Sequence, residues 1–162
     1  MQIILVVETR ASCQSDYKYI KSAIDYFYVE RKFQISKVFA KTKSELINCD
    51  EKIKLYKSKY PGPSKVIVCA DYDNPNDPDN IKIQQYCASN GYDLVWMNID
   101  VEDVFLGRTV SKKMKNKELM NFLKHKESFL STNTVLNNQT PLAKRPASNL
   151  LNVLDKYLRR KT

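Results

Sequence analysis

The chain has 162 residues, of which 43% are hydrophobic and 28% charged, and its formal net charge is +9. This length and hydrophobic fraction are typical of one globular domain with a buried core, and they exclude a chain that is disordered throughout. No apolar run approaches the roughly 20 residues of a membrane-spanning helix, so we expect no membrane partner. The excess of 27 basic over 18 acidic side chains favours a polyanionic partner, nucleic acid first. A lysine-rich solvated surface without any such partner would explain the same charge.

The cysteine pattern and the start of the chain indicate the compartment. Four cysteines lie far apart and lack the spacing of a metal finger: Cys13, Cys49, Cys69 and Cys87. Cys69 lies within an apolar stretch, which favours reduced thiols. The N-terminus enters strand-like sequence at once and has no signal-peptide pattern. We therefore expect a cytoplasmic protein.

The first half of the chain alternates predicted strands with predicted helices. Residues 2–7 and 66–70 are continuous apolar runs, typical of strands buried on both faces of a parallel sheet. Between them we predict a helix that Ser15 caps, with its apolar residues at helical spacing, then a less buried strand at 34–40 and a helix at 44–58. The pattern is that of βαβ units.

The second half begins with an acid-rich loop and continues the alternation. Residues 81–90 are predicted as a helix that ends at Gly91, and residues 92–97 as a fourth strand. A lysine-rich segment follows from Arg108, and the last predicted element is a helix capped by Ser148.

Together these elements predict an α/β fold with three layers, in which a mainly parallel central sheet of about four strands is flanked by helices. Residues 1–130 would form this Rossmann-like domain. Residues 131–162 would add a polar loop and a C-terminal helical extension packed on the same domain. The sequence contains no internal repeat that would suggest another architecture.

Acidic residues follow three of the predicted strands: Glu8 after the first, Asp71 and Asp73 after the third, and Asp100, Glu102 and Asp103 after the fourth. The carboxyl ends of strands in an open α/β sheet form the ligand crevice, so we expect these acids to meet there. Without a counter-ion they would repel one another and raise each other's pKa. A magnesium ion would relieve that repulsion, and two such ions can clamp the oxygens of a phosphodiester.

Other chemistries find little support. The single histidine, His125, excludes a centre built on several histidines and makes a catalytic triad improbable. With only three glycines, at 62, 91 and 107, the chain has no glycine-rich phosphate loop, so an ATPase of that kind is excluded.

The acidic residues also resemble a known family. Glu8 after the first strand, with Asp71-Tyr72-Asp73 after a later one, resembles the Toprim domain of topoisomerases, primases and several nucleases. Residues 15–20 and 101–106 are similar to segments of Toprim-like proteins associated with abortive-infection and restriction loci. Nucleases of the overcoming-lysogenization-defect type use a related set of acids. The resemblance covers roughly residues 1–110, and Thr9 stands where the family usually has a glycine.

The resemblance implies a nuclease for DNA or RNA that depends on Mg²⁺ or Mn²⁺, in phage defence or a mobile element, with a further protein subunit as a candidate partner. The acids it implies as metal ligands are Glu8, Asp71, Asp73 and Glu102, with Glu8, Asp71 and Asp73 also catalytic. Lys112, or its neighbour Lys113, would stabilise the charge that develops on the phosphate. The predicted nucleic-acid contacts are Arg10, Arg108, Lys112, Lys113 and Lys115.

Two other functions stay open at this point. A module that binds nucleic acid or protein would keep the fold and the basic surface without catalysis, and would act as a regulator or inhibitor. A receiver-like or phosphatase-like domain also places magnesium-binding acids at strand ends. A receiver would accept phosphate on Asp71, but it needs a lysine after a fifth strand that the sequence pattern does not predict.

Overall fold

The computed structural model describes residues 1–29, 33–138 and 145–161, which form five strands and eight helices. The strands are β1 (Gln2–Glu8), β2 (Gln34–Ala40), β3 (Ser64–Tyr72), β4 (Asp93–Asn98) and β5 (Ala147–Ser148). The helices are α1 (Ser15–Phe27), α2 (Lys43–Leu46), α3 (Asp50–Lys59), α4 (Pro78–Asn90), α5 (Val101–Leu106), α6 (Lys115–Lys124), α7 (Lys126–Ser131) and α8 (Leu150–Leu154).

The strands form one sheet in the order β2-β1-β3-β4-β5. The first four strands pair in parallel, and β5 pairs antiparallel with β4 through Met97–Ser148 and Asn98–Ala147. The predicted α/β fold with a mainly parallel sheet is confirmed. The sheet has a fifth strand because two residues near the C-terminus add to its edge, and two residues are too short for a hydrophobic period to be read from sequence.

Helices cover both faces of the sheet because the side chains of buried strands alternate between two cores. On one face, α1 packs with α5, α6, α7 and α8 over strand residues such as Leu5, Ile67 and Val95. On the other face, α2, α3 and α4 cover residues such as Val6 and Val68. The result is the three-layer arrangement.

The C-terminal segment packs on the same domain. Leu150, Leu154 and Leu158 belong to the core on the α1 face. The buried Tyr28 hydroxyl at the end of α1 donates to the Leu151 carbonyl (3.1 Å) and to Asp155 Oδ1 (2.7 Å). Residues 139–144 of the predicted polar loop lie outside the described residues.

Three local features differ from the sequence prediction. Helix α1 has Gln14, at φ 52°, as its N-cap in place of Ser15, whose hydroxyl donates to Asp16. The predicted helix 44–58 is divided into α2 and α3, and at the break the Asn48 side chain donates to the Ser44 carbonyl (3.1 Å), which competes with regular helix bonding.

The third difference concerns the last helix. Asn149 is the N-cap position of α8, which is only five residues long, and the predicted cap Ser148 lies one residue earlier, where its hydroxyl accepts from Leu150 N–H at 3.1 Å. The Asn149 side chain accepts from Trp96 N–H and donates to the Leu94 carbonyl, both at 2.9 Å. Asn149 thus extends the hydrogen bonding of the sheet beside β4. Among the helices that the structure describes, none is long and apolar enough to cross a membrane.

Candidate active site

The candidate site lies at the carboxyl ends of β1 and β3, where the order of the sheet reverses. From β1 the chain passes to β2 on one side, and it then returns across β1 to β3 on the other. Ligand crevices of open α/β sheets form at such a switch point, because the loops that leave the two strands diverge to opposite faces. Glu8 ends β1 and Asp71 lies one residue before the end of β3, so both acids are placed there.

Glu8 and Asp71 contact each other and influence each other's ionisation. The backbone N–H of Asp71 donates to Glu8 Oε2 at 3.4 Å, a long hydrogen bond. Burial raises the pKa of Glu8 to about 7, although this hydrogen bond and the charge of Lys43 oppose the rise. Burial also raises the pKa of Asp71 well above its ordinary value, and repulsion from Asp16 and Glu8 adds to that rise.

Asp16 is a third acid whose charge acts on Glu8 and Asp71, and it is not among the site residues predicted from the sequence. It lies in the first turn of α1, which starts just beyond β1, and its Oδ1 accepts from the Ser15 hydroxyl at 2.7 Å. Burial raises the pKa of Asp16, and the charge of Asp100 raises it further. An acid at this position is also expected beside the positive end of a helix dipole, so its sequence signal was ambiguous.

Glu8, Asp16 and Asp71, which we call the carboxylate cluster, make no ion pair with any basic side chain in the part of the chain that the structure describes. Lys43 and Lys115 act on the cluster only at longer range. The cluster therefore combines burial with the lack of a close cation among the described residues, and both features disfavour ionisation of its acids.

Asp100 and Glu102, which follow β4, differ from the carboxylate cluster because both form ion pairs with Lys115. Its Nζ lies 2.7 Å from Glu102 Oε2 and 3.1 Å from Asp100 Oδ2. Only 1% of the Glu102 side chain is exposed, and burial raises the pKa of this acid although Lys115 opposes the rise. Burial would lower the pKa of Lys115, but its bonds to the two acids raise it. Asp100 also caps α5 by accepting from Asp103 N–H at 2.9 Å.

Asp73 is also compensated, by a lysine that sequence reasoning missed. The ammonium of Lys43, at the start of α2, lies 2.5 Å from Asp73 Oδ1 and 3.2 Å from Asp77 Oδ2. The Lys43 side chain is only 8% exposed, whereas that of Asp73 is 63% exposed. Asp73 adds to the repulsion on Glu8, but its direct partner is Lys43. Nothing in the local sequence marks Lys43, because its contact spans 30 residues.

The predicted basic residues differ in exposure and in their ion-pair partners. Lys112 and Lys113 are exposed in the loop before α6 and form no ion pair within the described residues, whereas Lys115 contacts the acids directly. Arg108 pairs with Glu118 at 2.5 Å. Arg10 is exposed in the loop that follows Glu8.

The donor chemistry of the carboxylate cluster suits a hard divalent cation, but its geometry is not that of a closed cage. Across residues 1–29, 33–138 and 145–161, no three His, Cys, Asp or Glu side chains converge as metal ligands. Mg²⁺ keeps several waters and uses one or two carboxylates, so it does not require such convergence. One or two of Glu8, Asp16 and Asp71 would therefore suffice to hold a partly hydrated ion.

Backbone strain occurs between β4 and the acids that follow it. Ile99 has φ 74°, a left-handed conformation that is a clear outlier for a β-branched residue. Its N–H donates to the Tyr72 carbonyl at 3.1 Å, which ties the end of β4 to the end of β3. The strained residue immediately precedes Asp100, and strained backbone of this kind concentrates at functional sites.

The strain at Ile99 predicts that glycine destabilises the protein less than alanine at this position, which is the reverse of their usual order. We expect Ile99→Gly to have a free energy of unfolding about 1 kcal/mol above that of Ile99→Ala, because both remove the side chain but only glycine adopts the positive φ freely. Chemical denaturation of both variants measures the difference. An alanine variant at least as stable as the glycine variant would show that residue 99 is not held in the left-handed region.

The elevated pKa of Glu8 predicts how the metal-free protein responds to pH. The folded protein holds this proton up to about pH 7, whereas the ordinary value is 4.5, so between these values it binds more protons than the unfolded chain. The free energy of unfolding should therefore fall as pH rises from about 4.5 to 7, and Glu8 should contribute about 2 kcal/mol of that fall, after a discount for its partial solvation.

The matched comparison is Glu8→Gln, with both proteins unfolded by urea in EDTA at several pH values. The wild type should lose more stability than the variant across this pH interval. Equal pH dependence in the two proteins would contradict the assigned ionisation of Glu8.

Comparison with known proteins gives no relative from which a function could be transferred. No family model matches the chain, and no curated protein or solved structure matches it. The function must therefore be argued from the site itself.

Proposed function

We propose that the protein is a nuclease that hydrolyses phosphodiester bonds of DNA or RNA with Mg²⁺ or Mn²⁺. The observation that carries the proposal is the contact of Glu8 with Asp71 at the switch point of a protein whose net charge is +9, with the charge of half-buried Asp16 acting on both acids and no ion-pair partner for any of the three within the described residues. Such acids are costly to a fold unless they bind a cation, and a basic protein attracts a phosphate backbone.

The residues of the cluster have distinct roles in this proposal. Asp71 and Asp16 would hold the ion, with Glu8 beside them. When bound, the ion would polarise the phosphoryl group and make its bound water more acidic. Glu8 is suited to take the proton of the attacking water, since its pKa of about 7 lies near the working pH of a general base. The water oxygen forms a bond to phosphorus, the ester P–O bond breaks, and the leaving oxygen takes a proton from solvent.

Lys115 is positioned to act on negative charge that develops near the acids, since its charge already acts on Asp16 and Asp71. It is already held by Glu102 and Asp100, so it would act as a positioned cation whose proton stays bound. Glu102 would then serve to hold Lys115, and Asp73 to hold Lys43. These roles replace metal ligation for both acids within the proposal, because each already has a cationic partner.

The resemblance to Toprim-like nucleases is a second line of support. It covers Glu8, Asp71 and Asp73, and from it we also take a role in phage defence or a mobile element, and a further protein subunit as a candidate partner.

The four cysteines are free, which accords with a cytoplasmic location.

The test is a cleavage screen with end-labelled DNA and RNA, single-stranded and double-stranded, in Mg²⁺, Mn²⁺ or EDTA. We expect cleavage of at least one substrate that requires a divalent ion and that ends when EDTA is added. Absence of cleavage of every substrate in both ions would contradict the proposal for the isolated chain.

A second candidate function is a catalytically inactive module that binds nucleic acid or protein and acts as a regulator or inhibitor. One observation favours it: no three potential ligands converge in the part of the chain that is described, while Lys115 and Lys43 neutralise the neighbouring acids. Such a module would bind nucleic acid with a steep salt dependence and would show the same affinity in Asp71→Asn.

A further inference from the structure

A separate groove lies at the carboxyl ends of β1 and β2. None of the three acids of the carboxylate cluster lines it. It is open, has a volume of about 500 Å³, and is lined by residues 9–12, Phe39, Lys41 and Glu45. Residues 9–12 directly follow Glu8, and Thr9 N–H donates to the Ala40 carbonyl at 2.7 Å. The wall of the groove thus begins at the residue that follows Glu8 of the carboxylate cluster.

The charge of the groove is positive. Arg10 and Lys41 are exposed, and within the described residues neither side chain forms an ion pair. Glu45 also lines the groove, but its carboxylate accepts from the backbone N–H of Lys41 at 2.7 Å and so holds the turn before α2. Two free cations on one short stretch of surface suit consecutive phosphates.

The groove also has an aromatic wall. Phe39 is half-buried, and the ring of Tyr17 packs edge-to-face against it with 5.8 Å between centroids. Lys37 Nζ lies 5.7 Å from the centre of the Phe39 ring and 5.0 Å from that of Tyr17. This aromatic pair is held by packing, with Lys37 beside it on β2 and Lys41 just beyond the end of β2, and an aromatic ring near cations suits an unpaired base beside its phosphates.

We propose that this groove binds single-stranded nucleic acid, with one base against Phe39 and the adjoining phosphates on Arg10 and Lys41. A strand held there continues past Thr9 to Glu8. The inference rests on the proposed function and adds its substrate class. A single strand is required because a base paired within a duplex cannot turn its face to an aromatic side chain at the wall of a groove.

The experiment measures the affinity of the protein for a fluorescent oligothymidylate, and for a duplex of the same length, by anisotropy in EDTA at several salt concentrations. We expect the single strand to bind more tightly than the duplex. Phe39→Leu should weaken single-strand binding roughly tenfold, and Phe39→Tyr should retain it because the ring is kept. Arg10→Gln and Lys41→Gln should each reduce the salt slope by about one.

The matched control is Lys59→Gln, which removes an exposed lysine at the end of α3, shortly before β3 begins, at the amino ends of the parallel strands and thus opposite the groove. It should leave the affinity of the groove nearly unchanged. Thermal melts of all variants identify any that fail to fold, and the Phe39→Tyr variant then decides the role of the ring. Equal affinity for duplex and single strand, or no loss in Phe39→Leu, would overturn the inference.

Failure of the inference can be told apart from failure of the proposed function. If Phe39→Leu and Lys41→Gln leave binding and KM unchanged while an acid variant loses cleavage, the nuclease stands and the groove is overturned. If no substrate is cleaved but the groove variants weaken single-strand binding as expected, the groove is supported and the nuclease is contradicted.

Discussion

Asp71→Asn is expected to reduce phosphodiester cleavage by about 10²-fold or more while leaving the fold intact, because it removes a principal carboxylate of the proposed metal site. The same change should raise the free energy of unfolding of the metal-free protein at pH 7.5 by about 1 kcal/mol. Asp71 is repelled by Glu8 and Asp16, and its burial favours a neutral side chain, which asparagine supplies. A variant that loses activity but gains stability indicates a functional site whose buried acids lower the free energy of unfolding.

Asp79→Asn is the matched control for Asp71→Asn. It removes the same charge near the same edge of the sheet, but Asp79 lies in the first turn of α4 and pairs with Lys82 at 2.8 Å. Cleavage should persist in this variant. Initial rates on the preferred substrate and urea unfolding curves give both quantities. Equal losses of cleavage in the two variants would show that the effect is one of general charge, and a less stable Asp71→Asn would contradict the repulsion that we assign to the cluster.

Lys115→Met is expected to lower the free energy of unfolding by about 3 kcal/mol at pH 7.5. The substitution keeps an unbranched apolar side chain but leaves Glu102 buried without its cation, and an unpaired buried charge is far more costly than the net gain from the pair. Asp100 loses the same partner. The expected value is at the lower end for buried pairs because Lys115 itself is partly exposed.

Urea unfolding of Lys115→Met, Glu102→Gln and the double variant tests this explanation. The double variant should recover most of the stability lost in Lys115→Met, since no buried charge then lacks a partner at position 102. Additive losses in the double variant would mean that the pair is not coupled. A matched lysine, Lys113→Met, removes an exposed side chain without an ion pair in the described structure and should change stability by less than about 0.5 kcal/mol.

The fold was predictable because the strong signals are local. The apolar runs in β1 and β3 identify buried parallel strands, and Gly91 ends α4 in the left-handed conformation that such a residue adopts most readily. β5 was not predictable, because it consists of two residues whose pairing with β4 depends on contacts distant in sequence.

The site was predictable only in outline. Glu8 and Asp71 were selected because they follow buried strands, and the structure brings them into contact. Asp16 was missed because an acid in the first turn of a helix has an ordinary structural explanation. The compensation of Asp73 by Lys43 and of Glu102 by Lys115 was also missed, since charge pairs between different elements leave no pattern in the sequence.

The strain at Ile99 is a further feature that sequence reasoning could not supply. Isoleucine is typical of strands, and its presence here favours an extended conformation rather than the positive φ that it adopts. The surrounding chain imposes that conformation through the bond from Ile99 N–H to Tyr72 and the cap that Asp100 forms on α5.

The central claim is that the carboxylate cluster binds a divalent cation. Calorimetric titration of the metal-free protein with Mg²⁺ and Mn²⁺ at pH 7.5, beside Asp71→Asn and Asp79→Asn, tests it most directly. We predict binding in the wild type and in Asp79→Asn and its loss in Asp71→Asn. Absence of binding to the wild type at millimolar metal, or equal binding by Asp71→Asn, would contradict the claim.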